Sequence, residues 1–244
     1  MIKAGNLHKS FGRVHAVRGI SFTARDGEVT GLLGPNGAGK TTTLRMLYSL
    51  LPPDAGEIEV DGLNPVRDAL AIKRNLGVVP DNRGLYNRLT ARENIRYFGE
   101  LHGMSNDAIV ARLEEFARRL NMADFMDRRC EGFSQGQRVK VAIARAMVHQ
   151  PRTVLLDEPS NGLDVMSTRE LRKYILTLKS AGHCIVLSTH IMQEVAALCD
   201  RIVIIAGGLI AAEGSPPELL ARTGRASLED AFVDLIGTDE GLLA

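Results

Sequence analysis

Cysteine is scarce in this sequence, and the few cysteines lie far apart. The chain has three, Cys130, Cys184 and Cys199, and no two of them form a C-x-x-C pair. An odd and scattered set argues against a disulfide framework and against a zinc site, and it is typical of proteins in a reducing cytosol.

Long apolar runs and a charge excess are missing as well. No uninterrupted apolar segment reaches the roughly 18–20 residues of a membrane span, and the start, MIKAGNLHKSFG, has no apolar core of signal-peptide length. The 30 basic residues face 29 acidic ones, so no general attraction to nucleic acid or to an anionic membrane is encoded. With 45% apolar and 24% charged residues, we expect a soluble, cytoplasmic globular protein.

Hydrophobic periodicity predicts an α/β fold. Residues 1–33 indicate strands, and further strands are expected at 56–62, 76–80, 153–158 and 183–190, with a hairpin across Gly207-Gly208. Helices are expected at 39–51, stopped by Pro52 and Pro53, and at 165–182, 191–199, 216–222 and 228–237. Strands that alternate with helices imply a mostly parallel sheet covered on both faces.

The pattern from about Thr90 to Val148 is helical and interrupts this alternation. Thr90 and Glu93 are spaced as a capping box. The apolar stripe of an amphipathic helix follows, at Ile109, Leu113, Phe116 and Leu120. We therefore predict an inserted helical subdomain at about residues 83–150.

One segment carries a phosphate-binding motif. GPNGAGKT, Gly34 to Thr41, fits G-x-x-x-x-G-K-[ST] and stands between a predicted strand and a predicted helix. Its glycines let the backbone N–H groups face phosphates, Lys40 supplies a charge to the outer phosphates, and the Thr41 hydroxyl supplies a Mg²⁺ ligand. The motif predicts nucleotide binding.

Two further strands end in side chains suited to the same chemistry. TVLLDE ends in Asp157 and Glu158, and LSTH ends in His190. In a parallel sheet, ligands lie beyond the carboxyl ends of the strands. One carboxylate is then expected at the metal and the other at the γ-phosphate, with His190 beside it.

A second anion-binding feature lies almost a hundred residues after the first. In GFSQGQRVKVAIARAMV, Ser134 stands where an N-cap would stand, before apolar residues at helical spacing. The N-terminus of such a helix attracts anions through its free N–H groups and its dipole.

The ordered set of P-loop, FSQGQ, LLDEP, NGLD and STH resembles the ATP-binding subunit of ABC transporters over nearly the whole chain. The resemblance implies a P-loop ATPase of ABC type at residues 1–236, with an N-terminal antiparallel β subdomain and a tail at 237–244. It implies ATP hydrolysis, with Glu158 orienting the attacking water, His190 as the switch histidine and Lys40 on the phosphates.

Other site residues follow from the same resemblance. Phe11 corresponds to the aromatic residue that stacks on adenine, and Asp164 belongs to the loop NGLD. The metal would be held at Thr41 and Asp157, with Asp81 near it. The expected nucleotide contacts are Phe11, Val17, Asn36, Gly37, Ala38, Gly39, Lys40, Thr41, Thr42, Ser134, Gly136, Gln137 and Asp164.

FSQGQ is similar to the family signature LSGGQ. In the family this helix caps the γ-phosphate bound to a second subunit, which implies a head-to-tail dimer with both sites completed in trans. The resemblance also implies separate integral membrane permease subunits, and thus a peripheral position at the cytoplasmic face of the cell membrane. Gln135 departs from the signature, which has glycine there.

A second departure is Asp81, in VVPDNRGLY, where the family usually has glutamine. A carboxylate can hold Mg²⁺ through water but cannot donate a hydrogen bond as an amide does. Asp81 is either a tolerated variant or a sign of altered coupling. The stretch from Asp81 to Gly103 resembles the ATPase subunits of sodium-efflux ABC systems, so the predicted function is export, with sodium ions as a candidate solute.

Two alternatives remain open from the sequence. One is a soluble ABC ATPase acting on ribosomes or DNA, although the chain has one ATPase half and no basic patch. The other is a nucleotide-gated regulatory clamp with negligible turnover, against which the presence of Glu158 and His190 argues. No nucleic-acid partner is predicted.

Overall fold

A computed structural model describes residues 1–237, so that residues 238–244 of the predicted tail lie outside the described part. The strands are β1 (Ile2–Phe11), β2 (Val14–Ala24), β3 (Val29–Leu33), β4 (Ala55–Val60), β5 (Leu76–Val79), β6 (Thr153–Asp157), β7 (Cys184–Thr189), β8 (Arg201–Ala206) and β9 (Leu209–Gly214). The helices are α1 (Lys40–Leu47), α2 (Ala69–Asn75), α3 (Ala91–Leu101), α4 (Asn106–Arg119), α5 (Gln135–Met147), α6 (Val165–Ser180), α7 (Met192–Leu198), α8 (Pro216–Thr223) and α9 (Leu228–Ile236), with a 3₁₀ turn at Ala123–Phe125. Within residues 1–237, no helix combines the length and the apolarity needed to cross a bilayer.

The strands form two sheets. The smaller one has the order β2-β1-β4 and is antiparallel. The larger one has the order β5-β6-β7-β3-β8-β9. Its first five strands, β5, β6, β7, β3 and β8, run parallel, and β9 pairs antiparallel with β8. The predicted α/β fold with a mostly parallel sheet and an N-terminal antiparallel sheet is confirmed. Because β6, β7 and β3 are neighbours, the loops after them meet at one edge.

The central strands β3, β6 and β7 are buried along their whole length because both faces of the large sheet are covered. In β6, Val154 and Leu156 face one hydrophobic cluster, which includes residues of α3 to α7. Leu155, between them, faces the other cluster, which includes residues of β1, β2 and α1. The carboxyl ends of the central strands are therefore held in place by packing on both faces of the large sheet.

Helices α3, α4 and α5 lie between β5 and β6, within the stretch predicted as a helical insert. Thr90 and Glu93 form the expected capping box at the start of α3. The four predicted stripe residues are all buried, with Ile109, Leu113 and Phe116 each 1% exposed and Leu120 6% exposed. The helices are confirmed, and the boundaries of a separate subdomain stay a prediction.

Two elements differ from the expectation. Helix α1 ends at Leu47 and not at Leu51, because Ser49 adopts a left-handed φ of 59° and the N–H groups of Leu50 and Leu51 both donate to the carbonyl of Arg45. Helix α2 was not predicted, since it buries only Ile72 and thus has no apolar stripe.

The three cysteines are free thiols inside the protein. Burial raises the pKa of all three thiols. It raises the pKa of Cys184 to about 11 and the pKa of Cys199 to about 12. The expectation that they form no disulfide framework is confirmed.

Candidate functional site

The loop between β3 and α1 is built on glycines that no other residue could replace. Gly39 has a φ of 106°, and a Cβ there would lie 2.4 Å from the carbonyl oxygen of Ala16. A Cβ on Gly34 would lie 2.1 Å from the carbonyl oxygen of Ile205. The loop therefore packs directly on the backbone of β2 and β8, and this contact fixes its shape.

Lys40, the first residue of α1, is 5% exposed. Its Nζ donates to the carbonyl oxygens of Gly34 at 2.7 Å and of Pro35 at 3.1 Å. The same Nζ lies 3.4 Å from Glu158 Oε1. The cation is thus held over the loop by two neutral carbonyls and by the Glu158 carboxylate at a longer distance.

Asp157, at the end of β6, connects this strand with α1 and β7. Its Oδ1 accepts hydrogen bonds from Thr41 Oγ1 at 3.1 Å and from Ser188 Oγ at 2.5 Å. Burial raises the pKa of Asp157, while these two hydrogen bonds oppose the rise and the negative charges of Glu158 and Asp81 add to it. The carboxyl oxygen and the Thr41 hydroxyl together present the hard oxygen ligands that Mg²⁺ prefers.

Glu158 follows Asp157 in a left-handed conformation with a φ of 46°. The backbone N–H of Glu158 donates to the carbonyl oxygen and to the hydroxyl of Ser188, both at 3.1 Å. Its Oε2 lies 2.9 Å from Nδ1 of His190. Since a carboxylate can only accept, Nδ1 carries the proton in this bond. The unusual backbone turn therefore directs the Glu158 side chain between Lys40 and His190.

These residues surround a cavity of about 350 Å³ above the glycine loop. The predicted residues in its wall are Asn36, Gly37, Ala38, Gly39, Lys40, Thr41, Thr42, Asp81, Glu158 and His190. Asp157 touches the site through Thr41. Ala16 and Asn161 also lie in the wall; the sequence placed Asn161 in the NGLD loop without predicting it as a nucleotide contact, and it did not indicate Ala16.

Two of the predicted nucleotide contacts lie elsewhere. The side chain of Val17 is 1% exposed and packs beneath the loop, so its neighbour Ala16 takes the position in the wall. Phe11 ends β1 with 48% of its surface exposed, outside the residues that line the cavity. Its ring is open to a ligand, and its role stays a prediction.

The remaining predicted residues form a second group at the starts of α5 and α6. Ser134 caps α5 through a full capping box with Gln137, and Asp164 caps α6 by accepting from the N–H and hydroxyl of Ser167 at 2.8 Å each. A Cβ on Gly136 would lie 2.5 Å from Ser167 Oγ, so the two helix starts are in contact. None of Ser134, Gly136, Gln137 and Asp164 lines the cavity above the glycine loop.

Comparison with known proteins identifies the family to which these motifs belong. Residues 17–161 match the family model described as ABC transporter. The chain is 48% identical over 203 residues to the ABC transporter ATP-binding protein NatA of Bacillus subtilis (strain 168), with 83% of this chain and 82% of that protein covered. It is 41% identical over 218 residues to the Nod factor export ATP-binding protein I of Burkholderia lata, with 88% and 71% covered.

The fold is similar to that of the dimeric structure of MJ0796, a bacterial ABC transporter cassette, with a TM-score of 0.81 and 25% identity. The match covers 88% of this chain and 98% of that one. Together with the sequence matches, it places the glycine loop, the carboxylates after β6 and the α5 start in one known protein family. The chain belongs to the ABC transporter family, as an ATP-binding subunit that hydrolyses ATP.

Proposed function

We propose that two copies of this chain bind two molecules of Mg·ATP between them and drive an export transporter through separate membrane permease subunits. The observation that carries this proposal is the position of Glu158, with one carboxylate oxygen facing Lys40 and the other bonded to His190 at the cavity above the glycine loop. That arrangement fits the activation of a water molecule against a phosphate.

The glycine loop and Lys40 bind the ATP phosphates. Residues 36–42 line the cavity, and the start of α1 adds the positive end of its dipole. Lys40 exchanges its bonds to the carbonyl oxygens of Gly34 and Pro35 for bonds to phosphate oxygens, in which acceptor and donor carry opposite charges. Phe11, exposed at the end of β1, stacks on adenine.

Thr41 and Asp157 would hold Mg²⁺, and Asp81 lies in the wall of the cavity that Thr41 also lines. When bound, the ion neutralises charge on the phosphate oxygens. Burial of Asp157 disfavours its charged form in the free protein, so the carboxylate is most stable once a cation is present.

Glu158 orients the attacking water, and His190 holds the Glu158 carboxylate in place and reaches the γ-phosphate. The bond between His190 Nδ1 and Glu158 Oε2 leaves Nε2 free to face the substrate. Phosphoryl transfer depends mainly on such positioning and on electrostatic stabilisation.

The start of α5 completes the site of a second copy. Ser134, Gly136, Gln137 and Asp164 lie outside the wall of this chain's own cavity, while Ser134 and Asp164 are exposed. A homodimer of head-to-tail type brings each of these helix starts to the partner's γ-phosphate. A dimeric structure is known for the similar cassette MJ0796.

Export is favoured by the similarity to a Nod factor export protein. Sodium ions are the solute indicated by the stretch from Asp81 to Gly103, which resembles sodium-efflux ATPases. The chain would act at the cytoplasmic face of the cell membrane, bound to its permease and without a nucleic-acid partner, in line with the net charge of +1.

Glu158→Gln tests the proposal. The variant should lose at least about 100-fold in ATP turnover, since the general-base contribution is of that order. It should also form an ATP-stabilised dimer, detectable by light scattering, which the double variant Lys40→Ala/Glu158→Gln does not form. Turnover at the wild-type rate in Glu158→Gln would contradict the assignment. Purification from native membranes, with identification of bound membrane proteins, tests the permease.

A further inference from the structure

Arg83, in the loop after β5, joins three segments that are distant in sequence. Its Nη1 donates to Gln135 Oε1 at 3.1 Å, at the first residue of α5. Its Nη2 donates to the carbonyl oxygens of Pro159 at 3.1 Å and of Asn161 at 3.2 Å. One guanidinium therefore connects the start of α5 with the turn that follows Glu158.

The backbone that carries Arg83 is itself fixed by α5. Arg145 of that helix donates to the carbonyl oxygens of Gly84 at 2.9 Å and of Arg83 at 2.6 Å. Its guanidinium also lies 4.5 Å from the centre of the Phe98 ring. Because α5 holds the loop at one end and receives its side chain at the other, Arg83 has little freedom to turn away.

The turn held by Arg83 is part of the catalytic site. Pro159 directly follows Glu158, whose left-handed φ of 46° requires support from its surroundings. Asn161 lines the cavity above the glycine loop. Asp81 lines that cavity and also a second one, of about 400 Å³, which Arg83, Gln135 and Arg138 border. Asp81 thus lies between the cavity above the glycine loop and the cavity beside the start of α5.

We propose that Arg83 is a positioning residue, and that through Gln135 it links the Glu158 turn of one chain to the Ser134 end of α5, which serves the nucleotide of the other chain. This inference rests on the proposed function. It also assigns a role to Gln135, where the family signature has glycine, because a glycine offers no side-chain acceptor to Arg83.

The link has a chemical consequence for catalysis. ATP binding that shifts Glu158 or Asn161 moves the acceptors of Arg83, and the guanidinium passes that movement to Gln135, the neighbour of Ser134. Both hydrolysis sites of a dimer would then depend on each of the two Arg83 side chains. ATP binding to a single chain needs none of this.

The test is steady-state ATP hydrolysis by the full chain carrying Gln135→Met, Gln135→Gly, Arg83→Met or Arg83→Met with Gln135→Met. Loss of one solvent-exposed hydrogen bond should lower kcat about threefold for either Gln135 variant, and loss of three bonds should lower it about tenfold for Arg83→Met. KM and the Kd for ATP of the single chain should stay within about twofold. The double variant should be no slower than Arg83→Met, since both changes break one link.

Arg96→Met is the matched control. Arg96 Nη1 donates to Asn106 Oδ1 at 2.5 Å, an arginine–carboxamide bond between α3 and the start of α4. Its loss should leave kcat unchanged. If Arg83→Met does not fold, the Gln135 variants carry the test, because Gln135 is exposed and its replacement leaves no buried group without a partner.

Wild-type kcat in both Gln135 variants, or losses that multiply in the double variant, would overturn the inference. Lys40→Ala is measured in parallel. If Lys40→Ala hydrolyses ATP at the wild-type rate, the proposed function and this inference are overturned together. Turnover that Lys40→Ala abolishes, with no effect at Gln135, would overturn this inference alone.

Discussion

Nδ1 of His190 lies 2.9 Å from Oε2 of Glu158, and this one contact spans the ends of β6 and β7. The contact fixes the position of the Glu158 carboxylate, which is the proposed catalytic base, and it leaves His190 a candidate partner of the γ-phosphate. His190→Ala should therefore lower kcat by about 100-fold or more, in the range of general acid–base contributions.

The Kd for ATP should change little in His190→Ala, because in the proposed function the glycine loop and Lys40 supply the main phosphate contacts. The measurement is turnover beside equilibrium nucleotide binding. His183→Ala is the control: its Nδ1 lies 2.9 Å from the carbonyl oxygen of Pro151, before the start of β7, and its loss should leave kcat within about twofold. Equal kcat losses in the two variants would contradict the role of His190.

Ser134→Phe separates binding from hydrolysis. The bulky ring should leave ATP binding by one chain within about twofold and lower turnover at least about 100-fold, because it blocks the helix start that is proposed to contact the partner's phosphate.

Ser105→Phe is the control variant for the loss of a helix cap. Ser105 caps α4 by accepting from the N–H of Ala108 at 3.3 Å, and each cap loss should cost about 1 kcal/mol of stability. Only the Ser134 variant should lose turnover. Similar activity in the two variants would show that α5 does not contact nucleotide in trans.

Asp81→Gln tests the charged residue that replaces the usual glutamine. Asp81 lines the nucleotide cavity and its charge contributes to the raised pKa of Asp157. Removing one negative charge near the metal position should raise the Mg²⁺ concentration for half-maximal turnover about fivefold, the effect of roughly 1 kcal/mol.

The same titration of Asp124→Asn, an exposed carboxylate in the 3₁₀ turn, should match wild type. An unchanged Mg²⁺ dependence in Asp81→Gln would remove any special role for this residue.

His149 should make the protein sensitive to acid. Its ring stacks on His102 with centroids 3.6 Å apart, and burial, with the charges of His102 and Arg112, lowers the pKa of His149 to about 4. Because the folded state binds the proton less readily than the unfolded state, stability is complete above pH 6.5 and falls as the pH drops toward 4.

His149→Phe keeps a stacked ring and removes this titration. Its free energy of unfolding should fall less between pH 8 and pH 5 than that of wild type, by at most about 2 kcal/mol. Denaturant unfolding at both values measures the difference. His15→Phe, at an exposed position of β2, should behave as wild type, and a parallel pH profile for His149→Phe would contradict the prediction.

The parts of the site that sequence reasoning located are those encoded locally. The glycine loop, the caps at Thr90 and Ser134 and the acids at the end of β6 each depend on a few adjacent residues and on the strand or helix beside them. The strand order β6-β7-β3 then brings these local features together.

What sequence reasoning missed depends on contacts between distant segments. Ala16 reaches the cavity because β2 packs against the loop at Gly39, and Asn161 does so through the turn set by Glu158. Arg83 meets the carbonyls of Pro159 and Asn161 across 76 and 78 residues of chain. The early end of α1 arises from the left-handed backbone at Ser49, a position that no proline or glycine marks.

The burial of the three cysteines has a practical consequence. Thiol reagents attack the thiolate at accessible sulfur atoms, and Cys130, Cys184 and Cys199 are at most 7% exposed with raised pKa values. A cysteine introduced at the surface should therefore take up a fluorophore or spin label selectively in the folded protein. Distances between two labelled chains could then be followed through an ATP cycle without replacing a native cysteine.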